Sequence, residues 1–153
     1  MNAFEKLLVK LVEVDLEFAV IGGFACAFNG WARSTLDVDI LLKFDKQNIK
    51  LLLKTLSKWG EGAADELTED DFTNEPGAIR IIEDFPLDIF IRIANLSYND
   101  IQDDIKYFEL TSENNTINIP YVNAKTLIKI KSISHREQDK IDVIVLKDIV
   151  NKK

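Results

Sequence analysis

The chain has 153 residues, 46% hydrophobic and 29% charged, the composition of an ordinary globular domain with enough apolar side chains for one core. Its formal net charge of −7 excludes indiscriminate binding to nucleic acid, which needs a basic surface, and leaves room only for a local basic groove. One cysteine, Cys26, excludes an internal disulfide, and no apolar run approaches the ~20 residues of a membrane span.

These bounds predict a single domain over residues 1–153. Residues 1–10 lack the basic, apolar and small-residue order of a secretion signal, and a lone cysteine suits a reducing compartment, so a cytoplasmic location without membrane attachment is expected.

In chain order, Phe4, Leu7, Leu8, Leu11 and Val12 recur at helical spacing and predict an amphipathic first helix. Residues 17–21 read as a strand that ends in Gly22-Gly23, followed by a short helix over 24–29 closed by Asn29-Gly30. Residues 36–44 read as a second strand, and Asp45 caps a helix whose Ile49, Leu52, Leu53 and Leu56 form one stripe. The acidic, aperiodic stretch 60–76 predicts a mobile surface loop. Two apolar runs, 78–82 and 87–93, form a hairpin pattern around residues 83–86, where Glu83 and Asp84 read as solvated. A helical turn over 98–104 and a smaller hairpin from 107–110 and 116–119 come next. A helix over 122–132 precedes a last one, opened at 134–137 by a capping-box pattern, Ser134 to Glu137. The sum is a mixed α/β fold, a mixed sheet flanked by helices with two helices at the C-terminus.

Within this order, the stretch 18–44 carries the chemistry. Strand side chains alternate, so Asp37 and Asp39 share a face, about 7 Å apart by the ~3.3 Å rise. Two like charges so placed call for a cation between them. Oxygen-only ligands, with no His or Cys nearby, suit Mg²⁺, or Mn²⁺ in its place. Gly22-Gly23 at a strand end lets a ligand approach the backbone, and the helix that follows offers N–H groups to an anion. Metal and phosphate sites in one stretch imply a nucleotide.

This stretch resembles the nucleotidyltransferase superfamily, the polymerase-beta-like fold. The residues that carry the resemblance are the apolar strand ending Gly22-Gly23, the run Arg33-Ser-Thr35-Leu-Asp37-Val-Asp39, and Lys131 with Arg136, Asp139 and Asp142 beyond it. The chain is most similar to the small bacterial members of toxin–antitoxin and abortive-infection loci. The resemblance implies transfer of a nucleoside monophosphate from a nucleoside triphosphate to an acceptor hydroxyl, with pyrophosphate leaving. It implies that Asp37 and Asp39 hold the metal ions and that Asp88, a third carboxylate on a hairpin strand, completes the set and takes the hydroxyl proton. Gly22 and Gly23 would cradle phosphate, although Gly23 stands where many members place a serine.

Other readings remain open beside these. Asp88, inside the run LDIFIRI, needs a partner when buried: a metal, or a salt bridge with Arg92 on its own face. Arg33 either neutralises triphosphate charge or forms a surface ion pair, and Thr35 either touches phosphate or caps its own backbone. Both share strand parity with the aspartates if the strand starts that early. Lys131 lies on an apolar stripe, where it snorkels outward or meets a buried anion; the resemblance implies phosphate. Arg136 and Asp139 can simply pair at i,i+3. Cys26 and Trp31 read as packed side chains, and His135 as no metal ligand. The expected partners are a nucleoside triphosphate and an acceptor, protein or small molecule rather than RNA, with a partner protein or a homodimer compatible. A catalytically inactive nucleotide- or partner-binding module on the same fold is the alternative.

Overall fold

A computed structural model describes residues 1–152. Helix α1 (Ala3–Glu13) opens with a capping box: the Asn2 side chain accepts from the Glu5 N–H, and the Glu5 carboxylate accepts from the Asn2 N–H. Its Leu7, Leu8 and Leu11 are buried. Strand β1 (Phe18–Ile21) is buried at every position and runs directly into α2 (Gly22–Phe28). Strand β2 (Val38–Leu42) returns beside it, and Asp45 caps α3 (Lys46–Leu56) by accepting from the Asn48 N–H. Then come β3 (Ala78–Ile82), β4 (Pro86–Phe90), the two-residue strands β5 (Arg92–Ile93) and β6 (Leu96–Ser97), and α4 (Tyr98–Ile101). Strands β7 (Ile105–Ser112) and β8 (Asn115–Val122) precede α5 (Ala124–Ser132) and α6 (Glu137–Asn151).

Six strands form one mixed sheet in the order β3-β4-β2-β1-β8-β7. Strands β1 and β2 are antiparallel, β2 and β4 parallel, and β1 and β8 parallel, with antiparallel hairpins on both edges. Strands covered on both faces need nearly continuous apolar runs. That is what FAVI, VDILL and PLDIF supply, apart from one aspartate in each of the last two. Each fully buried Leu or Ile contributes roughly 1.5–3 kcal/mol, so this central block anchors whatever the two aspartates do.

Several sequence expectations are corrected. Strand β2 starts at Val38 rather than residue 36, which leaves Arg33, Thr35 and Asp37 in the preceding loop, outside any strand parity. The hairpin expected to be small is two eight-residue strands, built into the main sheet through β8 beside β1. The run 87–93 breaks at Ile91, beyond which β5 pairs with β6 and bridges Pro76 through Arg92. The acidic stretch 60–76 is not a free loop: it makes two 3-10 turns, Ala63–Glu66 and Glu69–Asp71, and buries Ala64 and Phe72. Glu83, expected to be solvated, fastens this stretch by accepting from the Glu61 and Ala63 N–H groups at 3.0 and 2.8 Å. No capping box forms at 134–137. Instead the Ser134 hydroxyl accepts from the Arg136 N–H, and α6 begins at Glu137 without a side-chain cap. No helix among the described residues is long and apolar enough to cross a membrane.

Candidate active site

The sheet register sets the site. Ile21 pairs with Asp39, Asp39 with Asp88, and Asp88 with Arg80, so one row of charges crosses β2, β4 and β3 and ends where β1 gives way to Gly22. Gly22 has φ +72°, and a Cβ built there would fall on Asp39 Oδ2. Both the backbone and the space demand glycine at this point. At Gly23 a Cβ would lie 2.7 Å from Thr35 Cβ and Oγ1. The absence of a side chain at residue 23 is therefore matched by Thr35 filling the same place.

Asp88 is 6% exposed, Asp39 is half-buried, and their carboxyl groups are in hydrogen-bonding contact. Burial first, and then the adjacent Asp88, push the Asp39 carboxyl up to about 7. Asp39 is thus the carboxyl of the pair that is displaced toward its protonated form. On the other side of Asp88 stands Arg80. Its Nε and Nη2 donate to Asp88 Oδ1 and Oδ2, both at 2.9 Å, and Nη2 also reaches Asp37 Oδ2 at 3.3 Å. The anticipated Asp88–Arg92 pair does not form, because Arg92 lies past the break in the strand and donates to the Asn95 carbonyl.

A second acidic cluster, on α6, has a different environment. Asp142 is fully buried and accepts from Arg33 Nε and Nη2 and from Trp31 Nε1, each at 2.8 Å, and from Gln138 Nε2 at 3.0 Å. Lys131 Nζ bridges Asp139 Oδ1 at 2.9 Å and Asp142 Oδ2 at 2.8 Å. Burial opposes the charge on Asp142, but hydrogen bonds from Arg33, Lys131, Trp31 and Gln138 outweigh it and hold the carboxyl well below the usual range. Lys131 therefore meets a buried anion, as one reading allowed, and that anion belongs to the protein. Arg33 forms an ion pair with a buried acid rather than a surface one. The i,i+3 pairing of Arg136 with Asp139 does not occur, since Asp139 is taken by Lys131. The Thr35 hydroxyl approaches the Asp37 carbonyl at 3.4 Å, the long local contact of a backbone cap. Cys26 is fully buried, and burial pushes its thiol up to about 11, the behaviour of a packed small side chain.

Both clusters border one cavity of about 580 Å³. All eight proposed site residues line it: Gly22, Gly23, Arg33, Thr35, Asp37, Asp39, Asp88 and Lys131. Residues that sequence reasoning passed over line it too. Arg80 adds positive charge, as does Arg136, which the sequence had singled out in another role, and Phe90, Ile93, Ala94, Ile130 and Ile133 form an apolar wall. Alternation in AIRII marks Arg80 as a polar-face residue, but only the β3–β4 register reveals its partner.

Among the described residues, no three His, Cys, Asp or Glu groups converge as a complete metal cage. The Asp39–Asp88 pair nonetheless fits Mg²⁺ or Mn²⁺. Its donors are all oxygen and lie on adjacent strands in register, and Mg²⁺ commonly takes one or two carboxylates with water and phosphate oxygens.

Fold and site together define a mixed α/β protein with an acid-floored cavity. No protein-family model matches the sequence, and no curated protein matches it either. Solved structures do. The chain is similar to the lincosamide antibiotic adenylyltransferase LnuA in its lincomycin-bound structure, with 17% identity, 95% of each chain covered and a TM-score of 0.60. It is similar to a proposed nucleotidyltransferase from Thermotoga maritima, with 12% identity, 98% of this chain and 91% of that one covered, and a TM-score of 0.56. An antigenic nucleotidyltransferase-like protein from Paracoccidioides brasiliensis shares 18% identity, over 92% of this chain and 72% of that one, at a TM-score of 0.53. The chain thus has the nucleotidyltransferase fold.

Proposed function

We propose that the protein is a metal-dependent nucleotidyltransferase that moves a nucleoside monophosphate from a nucleoside triphosphate to a hydroxyl of a small molecule. The observation that carries this reading is the Asp39–Asp88 pair on adjacent strands, facing Gly22 at the floor of the cavity. The acceptor oxygen attacks the α-phosphorus, the bond to the β-phosphate oxygen breaks, and pyrophosphate leaves. Asp88 takes the hydroxyl proton. Asp37, Asp39 and Asp88 would hold Mg²⁺ or Mn²⁺, which supplies charge neutralisation at the triphosphate. The backbone at Gly22 and Gly23 would cradle phosphate, and Arg136 and Arg80 line the same cavity as cations for its negative charge.

A small-molecule acceptor is supported by the apolar wall of Phe90, Ile93 and Ile133 beside the acids, and by the lincomycin in the similar adenylyltransferase structure. The net charge of −7 disfavours RNA. The alternative of an inactive binding module drew on Gly23 in place of serine. The close fit of Thr35 against Gly23 gives that glycine a packing reason instead.

Two measurements test the proposal. The first follows thermal melting with ATP, CTP, GTP and UTP, each with and without Mg²⁺. A ligand at 100 times its dissociation constant stabilises by about 2.7 kcal/mol, a shift of several degrees in a chain this size. The second measures pyrophosphate release with hydroxylated small molecules, wild type against Asp39→Asn. A Mg²⁺-dependent shift and a release lost in the variant are the expected results; equal background release from both proteins, with every acceptor, would refute the assignment.

A further inference from the structure

The cations around the cavity are not equally committed. Lys131 and Arg33 are locked onto the buried Asp142. Arg80 is not. Its side chain is 51% exposed, and it sits on β3, the edge strand, with Ile79 and Ile81 alternating with it along the strand. Apart from the carboxylates of Asp88 and Asp37, no side chain hydrogen-bonds its guanidinium among the described residues.

A guanidinium spanning two carboxylates supplies the neutralisation that a divalent cation would supply at the same oxygens. It takes both oxygens of Asp88 in the two-pronged geometry that arginine favours. A metal ion that needs Asp88 must therefore compete with it. Once the metal has neutralised the acids, a triphosphate in the cavity becomes the strongest anion within reach of this long side chain, and no core packing is lost when it turns. We propose that Arg80 is a displaceable counter-ion: it holds Asp88 and Asp37 while the cavity contains no divalent cation, and it moves to the phosphates when metal and nucleotide enter. This rests on the metal-dependent reading above and assigns a role to a residue outside the acidic triad.

The test measures Mn²⁺ binding by electron paramagnetic resonance, alone and with inorganic tripolyphosphate, which removes any dependence on the base. Wild type, Arg80→Gln, Arg80→Lys and Asp39→Asn are compared, and a cooperative melt confirms that each variant folds. Arg80→Gln should bind Mn²⁺ alone roughly fivefold tighter than wild type, and Mn²⁺ with tripolyphosphate roughly fivefold weaker. Arg80→Lys, which keeps the charge without the fork, should fall between. A merely structural arginine would not move the two affinities in opposite directions. Unchanged or weaker Mn²⁺ binding by Arg80→Gln overturns the proposal and leaves the metal site standing. Tighter Mn²⁺ with unchanged tripolyphosphate overturns the transfer to phosphate. Absence of Mn²⁺ binding by wild type, or binding that Asp39→Asn retains, overturns both the metal site and the proposal.

Discussion

Two acidic clusters border one cavity, and one carboxyl in each, Asp39 and Asp142, is shifted in the opposite direction to the other. Asp142 is the more deeply buried, yet it stays charged because five donor atoms from Arg33, Trp31, Lys131 and Gln138 surround it. Asp39 is shifted the other way, by burial first and then by the neighbouring Asp88. Burial alone therefore does not mark a functional acid. The number of donors aimed at the group does: Asp142 is a finished structural joint between α6 and the loop before β2, whereas Asp88 is met only by the half-exposed Arg80 and no cation among the described residues bonds Asp39.

The contrast breaks most visibly at Asp142. Asp142→Ala strands Arg33 without its anion and leaves Lys131 with Asp139 alone, and removal of one partner from a buried pair typically costs about 3–5 kcal/mol. With roughly 2–4 °C per kcal/mol for a chain of this size, a melt should show a fall of about ten degrees or no cooperative transition at all. Survival within a degree or two of wild type would erase the distinction between the clusters.

A smaller loss is expected at the glycine that Thr35 covers. Gly23→Ser brings a Cβ to 2.7 Å from the Thr35 side chain, and overpacking of this kind costs roughly 1–3 kcal/mol. Gly23→Ser combined with Thr35→Gly, which removes both the Cβ and the hydroxyl at 2.7 Å, should recover part of that loss in the same denaturation assay. Failure of the double variant to recover would remove the packing explanation for Gly23.

Proton linkage sharpens the comparison further. The Asp39 carboxyl is held near 7 against an ordinary 3.8, so between those values the folded chain binds more protons than the unfolded one. Its contribution to stability therefore falls as pH rises from about 4 to 7 and is level above. Asp142 and Asp139 are shifted down, so theirs is present above the ordinary carboxylate value and lost as pH falls through the lowered one. Melts of wild type and Asp39→Asn from pH 4 to pH 8 should diverge with rising pH, the variant melting higher at neutrality. The gap is the smallest of these effects, of order 1 kcal/mol after solvent screening. Added Mg²⁺ should stabilise wild type and leave the variant unmoved.

Much of the site was legible in the chain because its signals are local. Strand alternation, two glycines at a strand end and an acid in an apolar run placed Gly22, Gly23, Asp39 and Asp88, all of which meet at the cavity floor. The helical stripes of α1 and α3 were equally plain. Less legible was Asn48, which reads as one polar position on α3, yet bonds the Glu17 N–H and the Glu17 and Lys43 carbonyls across the fold. The acidic stretch 60–76 looked unconstrained because its anchor, Glu83, lies some twenty residues away.

By itself, then, the sequence determined the principal helices, the apolar faces of the central strands, and Asp39 and Asp88 as acids within them, since these follow from periods of two and 3.6 residues along the chain. Tertiary structure alone decided which cation each acid receives. Arg80 rather than Arg92 faces Asp88 because the hairpin register places it directly opposite. Lys131 and Arg33 serve Asp142 rather than an open cavity because α6 packs along α5 and brings that carboxylate between them. Charges of long side chains are satisfied across space, and no local period encodes the partner.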